Sequence, residues 1–438
     1  MNNTKETIGI VLEFGFHEIK KYITNGFATA LSEHFKIVWI ARDKQSPAFN
    51  AYFENTEGTL VFFPDDLIVT SPNKWELRNK RIRSEWMLSH NQGAFHNHKR
   101  LAKQSFKSTL IGTNLLKKIA EKRTLKSIPH HYHSPETAHF LKEIGIQILF
   151  TTGTQSPFAK TLIANANCLS IPCYYLINSW KDLYIDNFIP FTKFKAIFTW
   201  DQEMTHAYRE HLPYLPSDQY IATGNPTFDV LKNLEPLHDI HYYQNKYNFT
   251  ENQRIILYTM MPVGIAKDEM DTVRFIAEQL ANSSPDICLL VRKNPTHTNT
   301  DFTSETFPEN MRICEHFCAY DAERDMITQS KEGEQEWLDL LAYSEANISV
   351  PSTVTLEFLA LNKRVYNCHF NAKNEIDERL DQFFDAGFYR PLIQQQKVMD
   401  CSRIEQLLTA LKQKSTNTHQ MERSLAIPAI VNELVGKR

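Results

Sequence analysis

At 438 residues, with 42% apolar and 23% charged side chains and only 13 glycines, the chain exceeds one ordinary core and reads as two globular domains of about 200 residues each, which excludes disordered and repetitive classes. A net charge of −3 gives no basic balance for nucleic acid. Seven cysteines without a C-x-x-C pair, no signal-like start and no apolar run near the ~20 residues of a membrane span lead us to expect a cytoplasmic protein with reduced thiols.

Thr7 to Leu12 is a short apolar run between polar residues, the pattern of a buried strand. Glu13 to His17 follows as a loop, Glu18 to His34 carries helical spacing, and Phe35 to Ile40 is the next strand. Strand, loop, helix, strand is a βαβ unit and predicts a parallel sheet, with Thr59 to Phe63 as a third strand. Ligands of such sheets bind beyond the carboxyl ends of the strands, where Glu13 and His17 lie. The same two residues also suit the plain role of capping the helix that starts near Glu18.

Residues 74–126 are rich in Lys and Arg, interleaved with Trp75, Trp86, Phe95 and Phe106. Two readings stand: a basic amphipathic region for an anionic membrane surface or acidic acceptor, and solvated helices with apolar faces in the core. His130, His131 and His133 follow Pro129 in what reads as a turn, without a matched carboxylate or cysteine, so no metal site is expected there.

The α/β rhythm returns at Gly145. Strands over 146–150, 171–177 and 194–199 end in polar residues that place Trp180, Asp182 and Glu203 on one rim. Trp180 suits either a core position or a sugar platform. Pro236 to Asn252 lacks apolar periodicity and reads as a linker. Beyond it, Arg254 to Thr259 and Ile287 to Val291 are strands ending in Met260 to Gly264 and Arg292 to Pro295. Ala346 to Val350 is a strand broken at Pro351, and Ser352 and Thr353 stand where a helix begins. Free N–H groups there suit a phosphate, while Ser and Thr also serve as ordinary caps. Glu357 lies about one and a half turns on. The tail is helical over Ser402 to Lys412 and Met421 to Val435.

Thr223-Gly-Asn-Pro-Thr-Phe-Asp-Val-Leu231 resembles the hinge motif of UDP-GlcNAc 2-epimerases, CDP-glycerol glycerophosphotransferase-like enzymes and Kdo-type transferases. Leu289 to Pro295 is similar to their R-x-H-P strand end, and Ser352-Thr-Val-Thr-Leu-Glu357 to their Ser/Thr-rich phosphate turn. Asn178 to Leu183 and Thr199 to Met204 resemble the S-W-D-N-L and V-W-N/S-E stretches of surface-polysaccharide glycosyltransferases. The likeness spans about residues 145–400. It implies an α/β GT-B chain: two Rossmann-like parallel-sheet domains facing a cleft. Residues 1–235 would be the acceptor domain, 236–252 the linker, 253–410 the nucleotide-sugar donor domain and 411–438 a helical tail.

On that resemblance Ser352 and Thr353 would donate to phosphate, with Pro351 setting the turn. Glu357 would accept from ribose, Arg292 would offset phosphate charge, and Met261 and Gly264 would border the nucleotide. His17, Glu13 and Asp182 would be the catalytic candidates, with Glu203 and Trp180 on the acceptor side. A general base needs a pKa near the working pH, which draws attention to His17. No Asp-x-Asp motif is present, so a metal-independent reaction without a cofactor is expected, its co-substrate a nucleotide sugar. Two departures stand out: Asn294 replaces the usual His, and Lys181 replaces the usual acid, leaving Asp182 one place late. Lacking the acidic and His set of an epimerase, the chain is expected to be a glycosyltransferase acting on a glycan or lipid-linked acceptor. A nucleotide-sugar 2-epimerase and a non-catalytic binding protein are the alternatives.

Overall fold

The computed structural model describes residues 5–13, 16–42, 47–89, 112–184, 193–213, 215–262, 268–294, 306–314, 318–321, 326–413 and 425–436. The chain divides into two units: the first runs to Asp229 and takes back the C-terminal segment, and the second begins at Val230.

In the first unit β1 (Glu6–Leu12), β2 (Phe35–Arg42), β3 (Thr59–Phe63), β4 (Ile148–Thr151), β5 (Cys173–Leu176), β6 (Ala196–Thr199) and β7 (Tyr220–Ala222) form one sheet in the order β3-β2-β1-β4-β5-β6-β7. Every pairing is parallel. Such sheets are covered on both faces, which is why β4, β5 and β6 are buried throughout. The strand order reverses between β1 and β4, where Val11 lies opposite Thr151. That reversal opens a crevice at the carboxyl ends.

Glu18 to His34, expected as one helix, is two. Phe16–Tyr22 and Phe27–Ser32 are separated at Gly26, whose φ of 83° is left-handed and open to glycine without a Cβ clash. The expected turn at His130 to His133 is also corrected. The Asn114–His131 helix runs through Pro129 and closes with the Tyr132 N–H on Ile128 O, while the His131 ring bonds Ser71 O at 2.7 Å. Among the described residues no three His, Cys, Asp or Glu side chains cluster as metal ligands.

Within 74–126, residues 90–111 lie outside the described residues. The basic residues there are not uniformly solvated. Arg83 and Lys117 are buried, with Lys117 Nζ 2.9 Å from Glu121 Oε1 and donating to His211 O at 2.6 Å. Buried cations persist when carboxylates and carbonyls surround them.

The Ala426–Gly436 helix completes the first core, burying Ile427, Ile430 and Leu434 in the cluster that holds Ile8, Tyr22 and Trp39. Asp229 fixes its start by accepting from the N–H groups of Ala426 and Ile427 at 3.0 and 2.8 Å. No described helix is long and apolar enough to cross a membrane.

The second unit repeats the topology. β8 (Arg254–Thr259), β9 (Ile287–Arg292), β10 (Met311–Ile313), β13 (Ala346–Ser349), β14 (Arg364–Cys368) and β15 (Met399–Cys401) are parallel in the order β10-β9-β8-β13-β14-β15. A small antiparallel hairpin of β11 (Cys318–Asp321) and β12 (Met326–Gln329) stands apart. Here the order reverses between β8 and β13, with Thr259 opposite Ser349.

The stretch expected as a linker is an ordered part of this unit. Asp239 caps an Ile240–Tyr247 helix, and Tyr243 and Tyr247 bond Asp339 and Glu336 of the Lys331–Tyr343 helix at 2.8 and 2.6 Å. Asp339 also accepts from the N–H groups of Leu237 and His238. The anchor is polar and aromatic, so apolar periodicity gave no sign of it.

Candidate functional site

Each sheet offers one crevice, and the candidate residues collect at both. On the first rim Glu13 directly follows β1. Its Oε1 accepts the Ser156 N–H at 2.5 Å, where the Pro157–Cys168 helix begins, and its Oε2 is buried without a hydrogen-bond partner. Burial pushes the Glu13 carboxyl above its usual range against the pull of that N–H and of Lys160. Thr152, just after β4, donates to the fully buried Glu18 at 2.5 Å.

After β5, Asp182 is buried and its Oδ2 accepts the Ser179 N–H at 3.0 Å. Burial raises its pKa to about 6; Ser179, Lys21 and Lys181 oppose the rise and Glu13 adds to it. Lys21 donates to the backbone O of Asn178 at 3.0 Å and to its side-chain oxygen. Behind this turn Arg83 donates to Leu183 O at 3.4 Å. Two carboxyls that gain protons easily, Glu13 and Asp182, thus share one charged neighbourhood.

The other first-rim candidates differ. His17 lies in the Phe16–Tyr22 helix, but its side chain is outside the described residues. Trp180 is buried. Glu203 is exposed in the first turn of the Gln202–His211 helix, whose cap is Asp201, accepting from Met204 N–H at 2.7 Å.

On the second rim β13 ends at Ser349, and a buried Pro351 leads to the Thr353–Ala360 helix. Ser352 and Thr355 occupy capping-box positions, but only half of the box closes. The Ser352 N–H meets Thr355 Oγ1 at 3.5 Å, whereas Ser352 Oγ is buried without a hydrogen-bond partner. Thr353 is exposed beside it.

Glu357 lies one turn into the helix, buried, with Oε2 accepting the Trp337 indole N–H at 3.0 Å. The guanidinium of Arg292, at the end of β9, sits 4.0 Å above the ring of that Trp337. Arg292 and Glu357 are therefore joined through Trp337, a buried residue of the Lys331–Tyr343 helix that carries no motif of its own.

Met261 follows β8 and is buried, its N–H donating to Glu269 Oε2 at 2.8 Å. Tyr258 donates to the other oxygen at 3.0 Å, and burial carries Glu269 up to about 7. Gly264 lies outside the described residues. Beneath this rim Asn347, Ser349, Asn367 and Tyr389 form a buried chain of hydrogen bonds, from Asn347 Nδ2 on Leu257 O (3.0 Å) to Tyr389 OH on Asn367 Oδ1 (2.6 Å). Such a network holds strand ends in place.

No family model matches the chain, and no curated protein matches it by sequence. Solved structures do. The S. aureus MnaA co-structure with UDP is similar at 10% identity, covering 99% of this chain and 97% of that one, with a TM-score of 0.55. The UDP-GlcNAc 2-epimerase of Neisseria meningitidis bound to UDP-GlcNAc is similar at 12% identity, over 99% and 100%, with a TM-score of 0.55. That of Methanocaldococcus jannaschii gives 11%, 99%, 100% and 0.55.

The fold is GT-B. At these identities the likeness is one of fold. Within the GT-B fold, the Ser352 turn and Met261 flank the reversal point of the second sheet, and Glu13 stands at that of the first.

Proposed function

We propose that this chain is a glycosyltransferase that holds a nucleotide-activated sugar on its second rim and passes the sugar to a glycan or lipid-linked acceptor on its first. The observation that carries the reading is the second switch point: a buried hydroxyl lacking a partner at Ser352, at the start of the helix whose Glu357 is joined to Arg292 through Trp337. A helix start offers N–H groups to phosphate oxygens, and Arg292 adds positive charge. Thr353 contributes a second hydroxyl. Together they stabilise the nucleotide phosphate, mono- or diphosphate, as it leaves, the main electrostatic task of the step. This requires neither metal nor further cofactor. Glu357 accepts from the ribose hydroxyls.

On the first rim the acceptor hydroxyl attacks the anomeric carbon as the bond to the nucleotide phosphate breaks, and its proton passes to a base. Asp182, with a pKa of about 6, is ionised at neutral pH and still basic enough for that role. Glu13 tunes it electrostatically, and Trp180 and Glu203 line the acceptor side. Exposed Leu77, Leu115 and Ile119 among basic neighbours support contact of residues 74–126 with an anionic bilayer; failure to co-sediment with phosphatidylserine vesicles would remove that part.

A 2-epimerase is the second reading, favoured by the two proton-accepting carboxyls of the first rim and by likeness to epimerase structures. Two measurements decide. A thermal-shift screen of CMP, CDP, UDP and GDP is expected to give stabilisation by at least one nucleotide, and no shift with any of them would sink the donor site. NMR of the protein with UDP-GlcNAc then separates the chemistries: free UDP marks transfer, the C2 epimer marks isomerisation, and binding without either marks a non-catalytic protein.

A further inference from the structure

Trp337 stands at the junction of two groups that the proposed donor site uses, yet points no polar group of its own at the nucleotide. Its ring lies under Arg292 at 4.0 Å, and its only N–H goes to Glu357 Oε2 at 3.0 Å. The three residues come from three different elements: the end of β9, the middle of the Lys331–Tyr343 helix and the Thr353–Ala360 helix. Trp337 and Glu357 are buried, at 3% and 6% exposure, so the indole–carboxylate bond is shielded from competing water.

A charge-assisted bond restricts rotation of a buried carboxylate about its last torsion. Its acceptor directions are then set before a ligand arrives. A guanidinium stacked on an indole is likewise held in one plane. A single side chain thereby orients both an anion acceptor and a cation.

We infer that Trp337 is a positioning residue that makes the nucleotide site selective for ribose, by fixing Glu357 to receive both ribose hydroxyls, and that it also fixes Arg292 for the nucleotide phosphate. The inference rests on the donor site proposed above. It predicts discrimination on the sugar of the nucleotide, which a purely core-packing tryptophan would not produce. Ribonucleotides are preferred over 2′,3′-dideoxynucleotides, because hydrogen bonds to a charged acceptor are each worth about 10- to 150-fold in affinity.

The test uses the full chain and isothermal titration with UDP and 2′,3′-dideoxy-UDP. The parent is expected to prefer UDP by about tenfold or more. Trp337→Phe keeps a ring under Arg292 and removes the N–H; it should reduce that preference to about threefold or less while leaving dideoxy-UDP affinity within about twofold. Glu357→Gln should reduce the preference similarly, and the double variant should lose little beyond either single one, since both break the same link. Trp337→Leu, which removes the ring too, should also weaken dideoxy-UDP. If Trp337→Phe retains the full preference while Glu357→Gln abolishes it, the positioning role is wrong and the donor site stands. A parent stabilised by none of CMP, CDP, UDP and GDP, or a Glu357→Gln variant with unchanged preference, overturns the donor-site reading and this inference with it; where the screen selects another nucleotide, that nucleotide and its 2′,3′-dideoxy form replace the UDP pair. Should Trp337→Phe fail to fold, the Glu357→Gln and Trp337→Leu pair still decides, because an unchanged dideoxy-UDP affinity in Trp337→Leu contradicts the link to Arg292.

Discussion

The two sheets, of seven and six strands, share one order over six strands and reverse at the same place in it, yet their rims differ chemically. The first gathers carboxyls whose proton affinity burial has raised, Glu13 and Asp182, among the amines of Lys21 and Lys181. The second gathers a guanidinium, a helix start and a buried hydroxyl over a network of satisfied amides and hydroxyls. The first arrangement suits moving protons, and the second suits holding a dispersed negative charge. Topology sets where a ligand lies; side chains set what is done to it.

Four substitutions test that division. The largest expected effect is Asp182→Asn, which should lower kcat for UDP release by about 100-fold or more while nucleotide Kd stays the same. A change in Kd with kcat intact would erase the contrast between the rims. In the parent, kcat should rise with pH through about 6 as Asp182 loses its proton. A flat profile there removes Asp182 as the base.

Arg292→Ala should raise the Kd for UDP by about 10- to 100-fold, with uridine unaffected, read by titration. Equal losses for both ligands would show that the arginine serves packing rather than phosphate.

The second rim contains one group that departs from its general character. Glu269 has a pKa of about 7, above its unfolded value, so the folded chain binds more protons. Its contribution to stability is complete below about pH 4.5 and lost as pH rises through about 7. The loss is on the order of 3 kcal/mol at most. Glu269→Gln should flatten that part of the urea-unfolding profile; an unchanged slope would mean that Glu269 titrates normally.

The smallest effect separates capping from phosphate binding. An N-cap serine is ordinarily worth about 1 kcal/mol, but Ser352 Oγ makes no cap bond. Ser352→Ala should therefore cost less than about 0.5 kcal/mol in unfolding while weakening UDP several-fold. A full cap penalty with unchanged UDP affinity would make it a plain cap.

Much of this was legible along the chain. Apolar runs at Thr7 to Leu12, Phe35 to Ile40 and Arg254 to Thr259 announce strands, because a parallel strand buried on both faces must be apolar throughout. The helix start at Thr353 is marked by Ser352, since the residue types that begin helices are a local signal. What escaped was set by contacts distant in sequence. The break at Gly26 hides inside helical spacing, Pro129 is carried through by tertiary bonds, and the Ile240–Tyr247 helix is tied down by polar bonds to Asp339 and Glu336.

The sequence by itself determined two α/β units and the residue types at the strand ends, because periodicity and capping act over a few residues. The tertiary structure alone decided which of those residues work together. It buried Asp182 deep enough to move its pKa, stacked Arg292 on Trp337 and tied Trp337 to Glu357 across 20 positions. It also returned the last helix to the first core under Asp229. Desolvation and long-range pairing depend on what surrounds a side chain in space, and no local pattern records that.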